Sequence, residues 1–569
     1  MLVAVLTSLL AVPGLFLIWS ALSLQANKKK AETTGLPLLV RWVTPINPFW
    51  LLCGSSIVLK CRAWGIGTKN FHRFYTFGWE ANERHIVHEE LGPAFMLVSP
   101  GGNWLCVSDA SVFAEVIHRR TDFRRNMEQF ELLNVYGKNL ATTDDEEWQK
   151  HRKITAITFT ERNNELVWKQ SISQARGMIE YWLKHQHVNT TADDTKMFTL
   201  NVLAAAIFNK SYSYHGAAEA KAEEKDDNDS HLYRDSLGRI LGHVIPILIC
   251  GEQGLKAWWT PKTWKEVSNS IATFRSYVTG LINEERANIE RGEQDNQHLV
   301  AAVVRACERE KHEASGGKRP ATLTEQEIIS NMFVYAFAGN DTTAIVLNHL
   351  LVNLAAHPDS QEWVAEEIRH YLPDNDRTTW AYTTFPKLKR CQAVIMEALR
   401  LAHPLGQLVK GTGAFPQTIQ IGSRAVTLPP NTVIQLSLAA MHTHPTYWGQ
   451  DPLQWNPSRF ITTPPTDAIV NAPIEAEILA SDTAPHFLPW ATGQRVCPGR
   501  KFSQVELVAA LAVLLRDHVV SPQPNAGESL EAARKRVFAT GLEIEHEGSI
   551  LHEMRHSKSI ALTWRRRGE

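Results

Sequence analysis

The chain has 569 residues, and 44% of them are hydrophobic, which is ample for a buried core. Its 59 basic and 60 acidic residues give a formal net charge of −1, a balance that argues against a nucleic-acid-binding protein. Length alone suggests three or four domains.

The amino-terminal segment carries the strongest topological signal. Residues 2–24 are uncharged and long enough to cross a bilayer as a helix, and Lys28, Lys29 and Lys30 follow directly. By the positive-inside rule, the lysines stay cytosolic. We therefore predict a transmembrane signal anchor over residues 1–27, which in a eukaryotic cell would be a single pass of the endoplasmic reticulum membrane with the rest of the chain in the cytosol. A cleaved signal peptide is the alternative, but its basic residues would precede the apolar run.

The next segment, residues 28–62, is predicted to be a linker that contacts the membrane. Its apolar part, residues 43–59, contains Pro45 and Pro48, which favour a surface-lying contact over a second span.

Strands are few in this sequence. Residues 95–98 and 104–107 predict one pair, and residues 418–421 and 425–428 predict a hairpin. Two polar stretches, at 215–231 and 311–321, predict solvated insertions.

A long helical pattern begins at residue 324. Thr324 and Glu327 form a predicted capping box, and apolar residues continue through Leu351. Gly339 lies in mid-helix, where glycine costs roughly 1 kcal/mol relative to alanine, so it has a packing or functional reason. A glycine beside two threonines could also simply bend the helix.

Two other helical spacings are weak when taken alone. Trp148 and Arg152 stand four residues apart on one predicted helix face, and Glu397 and Arg400 stand three apart on another. An exposed Glu–Arg pair of this kind is often only a weak surface contact. Arg459 follows further along, within a Pro-Ser-Arg-Phe segment.

The most informative segment is residues 489–500, in which Cys497 has glycines on both sides. Gly493 permits a tight turn, and Gly499 lets the backbone come close to a bound group because it has no Cβ. Arg495 offers a charge-assisted fork to a carboxylate. Such a loop can hold a thiolate against a flat, anionic cofactor. The other cysteines show no paired spacing and are interpreted as apolar fillers: Cys53, Cys61, Cys106, Cys250, Cys307 and Cys391.

This loop resembles the haem-binding signature of the cytochrome P450 superfamily, with Trp490 where most members carry phenylalanine. The segment from Ala338 to Thr343 resembles the family's oxygen-binding groove, and the two weaker helical motifs fit its remaining signatures. The motifs occur in the family's order over about 350 residues, from Trp148 to Gly499. The resemblance therefore implies one large haem-thiolate catalytic domain, over residues 63–569, rather than several.

The resemblance assigns a role to each motif residue. It implies haem b with Cys497 as axial ligand to the iron. Further cofactor contacts are implied for Arg495, Trp148, Arg152, Gly493, Gly499, Trp490 and Lys410. Ala338 and Gly339 would make room for dioxygen, and Asp341 and Thr342 would deliver protons. Glu397, Arg400 and Arg459 would form a buried structural network behind the haem.

The resemblance further implies a mainly α fold with small β-sheets, a single haem domain behind the anchor, and a monooxygenase acting on an apolar small molecule. The amino-terminal third looks like that of fungal members that tailor secondary metabolites. Because the chain has no dinucleotide or flavin motif, electrons would come from an NADPH–cytochrome reductase, with cytochrome b5 as a further donor. The docking surface would be the basic set Lys150, His151, Arg152, Lys153, Arg500 and Lys501.

Two alternatives stay open at this point. The haem could rearrange or dehydrate a substrate without a reductase, or the protein could be a non-catalytic haem-thiolate sensor. Retention of both Asp341 and Thr342 argues against each of them.

Overall fold

The computed structural model describes residues 2–157, 159–217, 219, 236–240, 242–293, 298–313, 322–463, 474–545 and 551–569. Its helices are α1 (Leu2–Glu32), α2 (Pro48–Ala63), α3 (Lys69–Phe74), α4 (Trp79–Glu83), α5 (Ile86–Leu91), α6 (Ala110–His118), α7 (Met127–Phe130), α8 (Asp145–Ala156), α9 (Glu161–Leu183), α10 (Thr191–Phe208), α11 (Val244–Gly254), α12 (Lys262–Glu290), α13 (Leu299–Glu313), α14 (Glu325–Ala356), α15 (Pro358–Tyr371), α16 (Lys389–Leu401), α17 (Leu438–Met441), α18 (Pro445–Trp448), α19 (Arg500–Arg516) and α20 (Leu530–Gly541).

The strands are short and form small sheets. They are β1 (Leu38–Val40), β2 (Ala94–Ser99), β3 (Gly102–Val107), β4 (Gln407–Gly411), β5 (Gln417–Ile421), β6 (Arg424–Leu428), β7 (Val433–Ser437), β8 (Ile461–Thr462), β9 (Ile478–Leu479), β10 (His518–Pro522), β11 (Ile544–Glu545), β12 (Glu553–Met554) and β13 (Leu562–Arg566). The prediction of a mainly α fold with small β-sheets is confirmed. The predicted insertion at 215–231 lies outside the described residues from 218 on, except for residue 219, and the one at 311–321 lies outside them from 314 on.

The chain divides into two compact units, and the first comprises Met1–Asn126, Leu405–Gln454 and Thr483–Arg495. Its sheet has the strand order β1-β2-β3-β7-β4, in which β2 and β3 are antiparallel and β3 and β7 are parallel. A separate antiparallel hairpin joins β5 to β6. Both predicted strand pairs are therefore present.

The predicted transmembrane segment is a helix, α1, but the membrane span itself is not supported. Among the residues that the structure describes, no helix has both the length and the hydropathy to cross a bilayer. The end of α1 packs on the sheet of the first unit instead, because Leu24 and Ala31 are buried and the Asn27 side chain donates hydrogen bonds to the carbonyls of Ser99 (2.9 Å) and Pro100 (3.1 Å). The endoplasmic reticulum location stays a prediction.

The segment expected to lie on a membrane surface contains helix α2. Asn47 caps this helix by accepting a hydrogen bond from the Trp50 amide at 3.0 Å, and Pro48 occupies the first turn. Phe49 and Leu52 are exposed on it. The prolines that argued against a second span thus mark a helix start, and contact of residues 43–59 with a membrane stays a prediction.

The second unit comprises Met127–Pro404, Trp455–Asp482 and Val496–Glu569, and the long helix α14 runs through its core. The predicted capping box is present: the Thr324 hydroxyl accepts from the Glu327 amide at 3.2 Å, and the Glu327 carboxylate accepts from the Thr324 amide at 2.7 Å. Helices α10, α16 and α20 pack against α14. From Ile328 to Ala356, almost every side chain of α14 is buried.

A buried charge network joins α16 to the segment around Arg459. Arg400 donates two hydrogen bonds of 2.8 Å to the Glu397 carboxylate, and both side chains are fully buried. Arg459 Nε lies 3.3 Å from the same carboxylate, and the Asn456 amide donates to it at 2.9 Å. The structure thus brings Glu397, Arg400 and Arg459 together, with one carboxylate holding two cations and an amide.

The substitution Glu397→Gln tests this network. It preserves side-chain volume but leaves Arg400 as a buried cation without its counter-ion, so we expect the free energy of unfolding to fall by about 3–5 kcal/mol. Urea unfolding followed by tryptophan fluorescence measures the change. The matched control is Glu165→Gln, which breaks an exposed 2.7 Å pair with Lys169 and is expected to cost less than about 1 kcal/mol. Equal losses in the two variants would contradict the prediction.

Candidate functional site

Cys497 lies in the loop that leads into α19. It is the one exposed cysteine of the seven, all of which lie in the described part of the chain. Gly493 has a φ of +74°, a left-handed conformation that favours glycine. A Cβ at Gly499 would lie 3.9 Å from the Cys497 sulfur, and Gly499 also forms the amino-terminal cap of α19. The loop therefore presents an accessible thiol next to a helix start.

The electrostatics around Cys497 act in opposite directions. The Cys497 thiol is accessible, but protein atoms around it displace much of the bulk water and raise its pKa. A hydrogen bond from the Gly499 amide and the charges of Arg152 and Arg500 act to lower that pKa, and the net shift is upward. A thiol in this position gains most from a bound metal ion, because the metal stabilises the thiolate directly.

Helix α14 is buried along most of its length but has one short accessible face, which we call the window. Between residues 328 and 356, only Ala338, Gly339 and Thr342 are not buried, and their i, i+1, i+4 spacing places them on one face. The Thr342 hydroxyl donates to the Ala338 carbonyl at 2.5 Å. The window therefore offers small side chains, one hydroxyl and open space.

Gly339 has a packing role that its sequence context did not reveal. A Cβ at this position would lie 3.1 Å from the Leu203 Cδ2 atom of α10. The glycine therefore permits close approach of α10 to α14, which explains why a residue unfavourable in mid-helix stands here. Its predicted role in making room for dioxygen stays a prediction.

Tyr335 shows that α8, α14 and the Cys497 loop lie close together. Its hydroxyl donates to the Thr155 hydroxyl of α8 at 2.7 Å. Burial raises the pKa of Tyr335 to about 12; Thr155 and Arg152 act to lower that pKa, and Cys497 acts to raise it. These residues fit a planar anionic group with a metal centre, because they offer an accessible sulfur ligand, a nearby guanidinium for a carboxylate, and a window lined by small side chains.

Helix α8, which carries Trp148 and Arg152, is held by polar groups at the start of α14. Lys150 Nζ lies 2.9 Å from the Glu327 carboxylate, and His151 Nδ1 lies 2.8 Å from the Asn331 side-chain amide. Burial would raise the pKa of Glu327, but His151, the Thr324 amide and Lys150 together hold that pKa below its usual range. The capping box was visible in the sequence, whereas its second role in holding α8 was not.

The predicted docking set for a redox partner needs one correction. His151 is fully buried, so it cannot contribute positive charge to a surface. Lys150 and Lys153 are paired with Glu327 and Glu310, at 2.9 and 2.5 Å. The basic neighbours of His151 in the sequence suggested that it lies on the protein surface. A helix that packs against a core has one buried face, however, and a run of basic residues also contributes side chains to that face.

Asp341 faces a buried polar cluster rather than the window. Its Oδ1 accepts a hydrogen bond of 2.9 Å from the Asn340 side chain, whose own oxygen accepts one of 2.8 Å from the Thr199 hydroxyl of α10. Burial and Glu553 raise the pKa of Asp341 to about 6, against the opposing effects of Lys196 and the Asn340 hydrogen bond. No sequence pattern predicted Thr199, Lys196 or Glu553 at this site, because they come from distant elements.

The remaining cofactor-binding candidates belong to the first unit. Gly493 and Arg495 lie in a short 3-10 turn that precedes Cys497. Trp490 precedes that turn, next to Ala491, which has a φ of +59°. Lys410 lies on β4 opposite Ile434 of β7 and is half-buried. Their contacts with a cofactor stay predictions.

Comparison with known proteins identifies the family. A family model described as Cytochrome P450 matches residues 76–541. A cytochrome P450 monooxygenase of Arthrobotrys oligospora is 27% identical over 91% of this chain and 91% of its own length. The phomenoic acid biosynthesis cluster cytochrome P450 monooxygenase of Leptosphaeria maculans is 28% identical over 90% of this chain and 91% of its own. Since the family model spans well over half of the sequence, and the thiol loop and the helix window that its motifs predicted are both present, this chain belongs to the cytochrome P450 family.

Proposed function

We propose that this chain is a haem-thiolate monooxygenase that transfers one oxygen atom of O2 to an apolar small molecule. The observation that carries the proposal is the accessible thiol of Cys497 in the same unit as the small-residue window of α14, in a chain of this family. Family membership implies a haem-thiolate cofactor, and we take it to be haem b. When bound, the haem supplies the activation of dioxygen, and the protein supplies ligation, position and protons.

The cofactor would be held mainly through its iron and its carboxylates. Cys497 would ligate the iron, and Gly499 would allow the loop to approach it closely. Arg152 would pair with a haem carboxylate, together with Trp148 on the same face of α8. Arg495 and Lys410 are the candidates for this task in the first unit, and Gly493 and Trp490 would shape the loop beside the sulfur.

Thr342 and Asp341 would deliver the protons that oxygen activation consumes. Thr342 presents its hydroxyl in the window, while Asp341 lies behind it in the buried cluster. The pKa of Asp341, raised by burial to about 6, leaves a minor but useful protonated fraction at neutral pH. A carboxyl group with such a pKa can both release and regain a proton at each turnover.

The electrons would come from an NADPH–cytochrome reductase, with cytochrome b5 as a further donor. Without the buried His151, the candidates for its docking surface are Lys150, Arg152, Lys153, Arg500 and Lys501. The substrate would be an apolar scaffold oxidised in fungal secondary metabolism, by hydroxylation, epoxidation or repeated oxidation. The Leptosphaeria relative, named for the phomenoic acid cluster, supports this metabolic context.

The substitution Cys497→Ser tests the axial ligand. We expect it to abolish the carbon monoxide difference spectrum of thiolate-ligated ferrous haem, because serine offers no thiolate to the iron. Cys250→Ser is the control, since it removes a half-buried thiol on α11 and should leave the spectrum unchanged. A thiolate spectrum that survives in the Cys497 variant would exclude this residue as the ligand.

The substitution Thr342→Ala tests the proton route. We expect product per NADPH to fall at least about tenfold while NADPH oxidation continues and hydrogen peroxide accumulates, because proton delivery no longer keeps pace. The control is Thr343→Val, which alters the buried neighbour and not the window. An enzyme that rearranges or dehydrates its substrate would be nearly indifferent to Thr342→Ala, and so would a sensor.

Mass spectrometry tests the reaction class as a whole. Membranes carrying this protein and a reductase are incubated with host metabolites, with and without NADPH, against Cys497→Ala. We expect a metabolite to gain one oxygen only when NADPH and Cys497 are both present. A mass-neutral product that needs Cys497 but not NADPH would replace the monooxygenase with rearrangement chemistry.

A further inference from the structure

A small solvent-facing crevice lies along α14, one to two turns beyond Asp341. It lies between α10, α14 and the segment around β12, and has room for about one water molecule. Its lining residues are Ala192, Lys196, Ala344, Ile345, Asn348, Glu553, Met554 and Ser557. Lys196 Nζ donates to both Glu553 carboxylate oxygens, at 3.1 and 3.0 Å, and these two side chains are 35% and 29% exposed.

The crevice and Asp341 share one face of α14. Three crevice-lining residues of α14, Ala344, Ile345 and Asn348, follow Asp341 at i+3, i+4 and i+7. They therefore lie on the same face of the helix as Asp341, one to two turns further along. Thr199, one turn after Lys196 on α10, is hydrogen bonded to Asn340, the direct partner of Asp341. Polar side chains therefore lie at both ends of this stretch: the ion pair, which is about one third exposed, and a carboxyl group that is only 7% exposed.

The ion pair and Asp341 influence one another electrostatically. Burial raises the pKa of Asp341; among the charged groups, Lys196 then lowers that pKa and Glu553 raises it. Burial would lower the pKa of Lys196, but Glu553 and Asp341 hold it above its usual value, with a smaller contribution from Asp193. Lys196 and Glu553 are the charged groups that act on Asp341, the first from α10 and the second from β12.

We propose that the Lys196–Glu553 pair lies at the solvent end of the proton path and controls how protons from solvent reach Asp341. In each turnover, a proton from water in the crevice adds to the Asp341 carboxylate, and the resulting acid later releases it toward Thr342, which restores the carboxylate. Lys196 and Glu553 are positioning residues, since they act through Asp341 and touch no reacting atom. This inference rests on the proposed monooxygenase function.

The test uses the opposite signs of the two charges. Lys196→Met removes the cation, so the pKa of Asp341 should rise, and Glu553→Gln removes the anion, so that pKa should fall, each by roughly one pH unit. The double variant should lie close to the parent protein. Infrared difference titration of the full-length protein reads the carboxyl band directly, with Asp341→Asn identifying it. This measurement requires no turnover.

The second readout is product per NADPH as a function of pH. The pH at which coupling is half lost should shift upward in Lys196→Met and downward in Glu553→Gln, because a higher pKa keeps Asp341 protonated to a higher pH. Lys169→Met, which breaks an exposed pair with Glu165 on α9, is the control and should change neither readout.

Each outcome has one meaning. Shifts of opposite sign in both readouts establish the pair as part of the proton path. Shifts of the carboxyl titration without any shift of the coupling profile overturn the inference, as does an unchanged titration in both single variants. If the parent protein shows no NADPH-dependent oxygenation, the proposed function fails, and the titration alone still reports whether the pair controls Asp341.

Discussion

The burial of α14 along nearly its whole length is the constraint on which the rest of the second unit depends. A helix covered on all sides needs neighbours that match each of its faces, and α10, α16 and α20 provide them. Gly339 sets how closely α10 approaches, because a side chain there would meet Leu203. The one window, at Ala338, Gly339 and Thr342, is then a defined gap in a close-packed surface, and a reactive group can be bound there without competing side chains.

Polar groups inside this packing fix the register of the neighbouring helices. An unpaired amide or carboxyl group in such a core costs several kcal/mol, so the buried amides of Asn331 and Asn340 favour the arrangement that gives them partners. Asn331 accepts from the Leu140 amide at 2.9 Å and contacts His151, and Asn340 accepts from Thr199. Apolar contacts alone would tolerate sliding by a turn, whereas these bonds do not. These bonds thereby hold α8, through His151, and α10, through Thr199, at fixed positions along α14.

The sequence predicted the parts of this site that are local in the chain. The capping box at Thr324, the hairpin of β5 and β6, and the turn at Gly493 follow from spacings of a few residues, which act wherever the segment lies. Contacts between distant segments left no such trace. Glu553 lies more than 200 residues from Asp341, and no short pattern marks it as a partner. The buried position of His151 was missed for the same reason, since a basic run looks exposed until the helix packed against it is known.

Asp341 and Thr342 are neighbours in the sequence, but their side chains face different surroundings, and the proposed proton path uses this difference. Consecutive helical residues point about 100° apart, so Thr342 opens into the window while Asp341 turns toward the crevice of Lys196 and Glu553. The Thr342 hydroxyl bonds back to the Ala338 carbonyl, an i−4 contact that tends to bend a helix and loosen its own hydrogen bonds. The two side chains thus lie on different faces of one helix, so the proposed proton path can draw protons from the crevice while Thr342 faces the window.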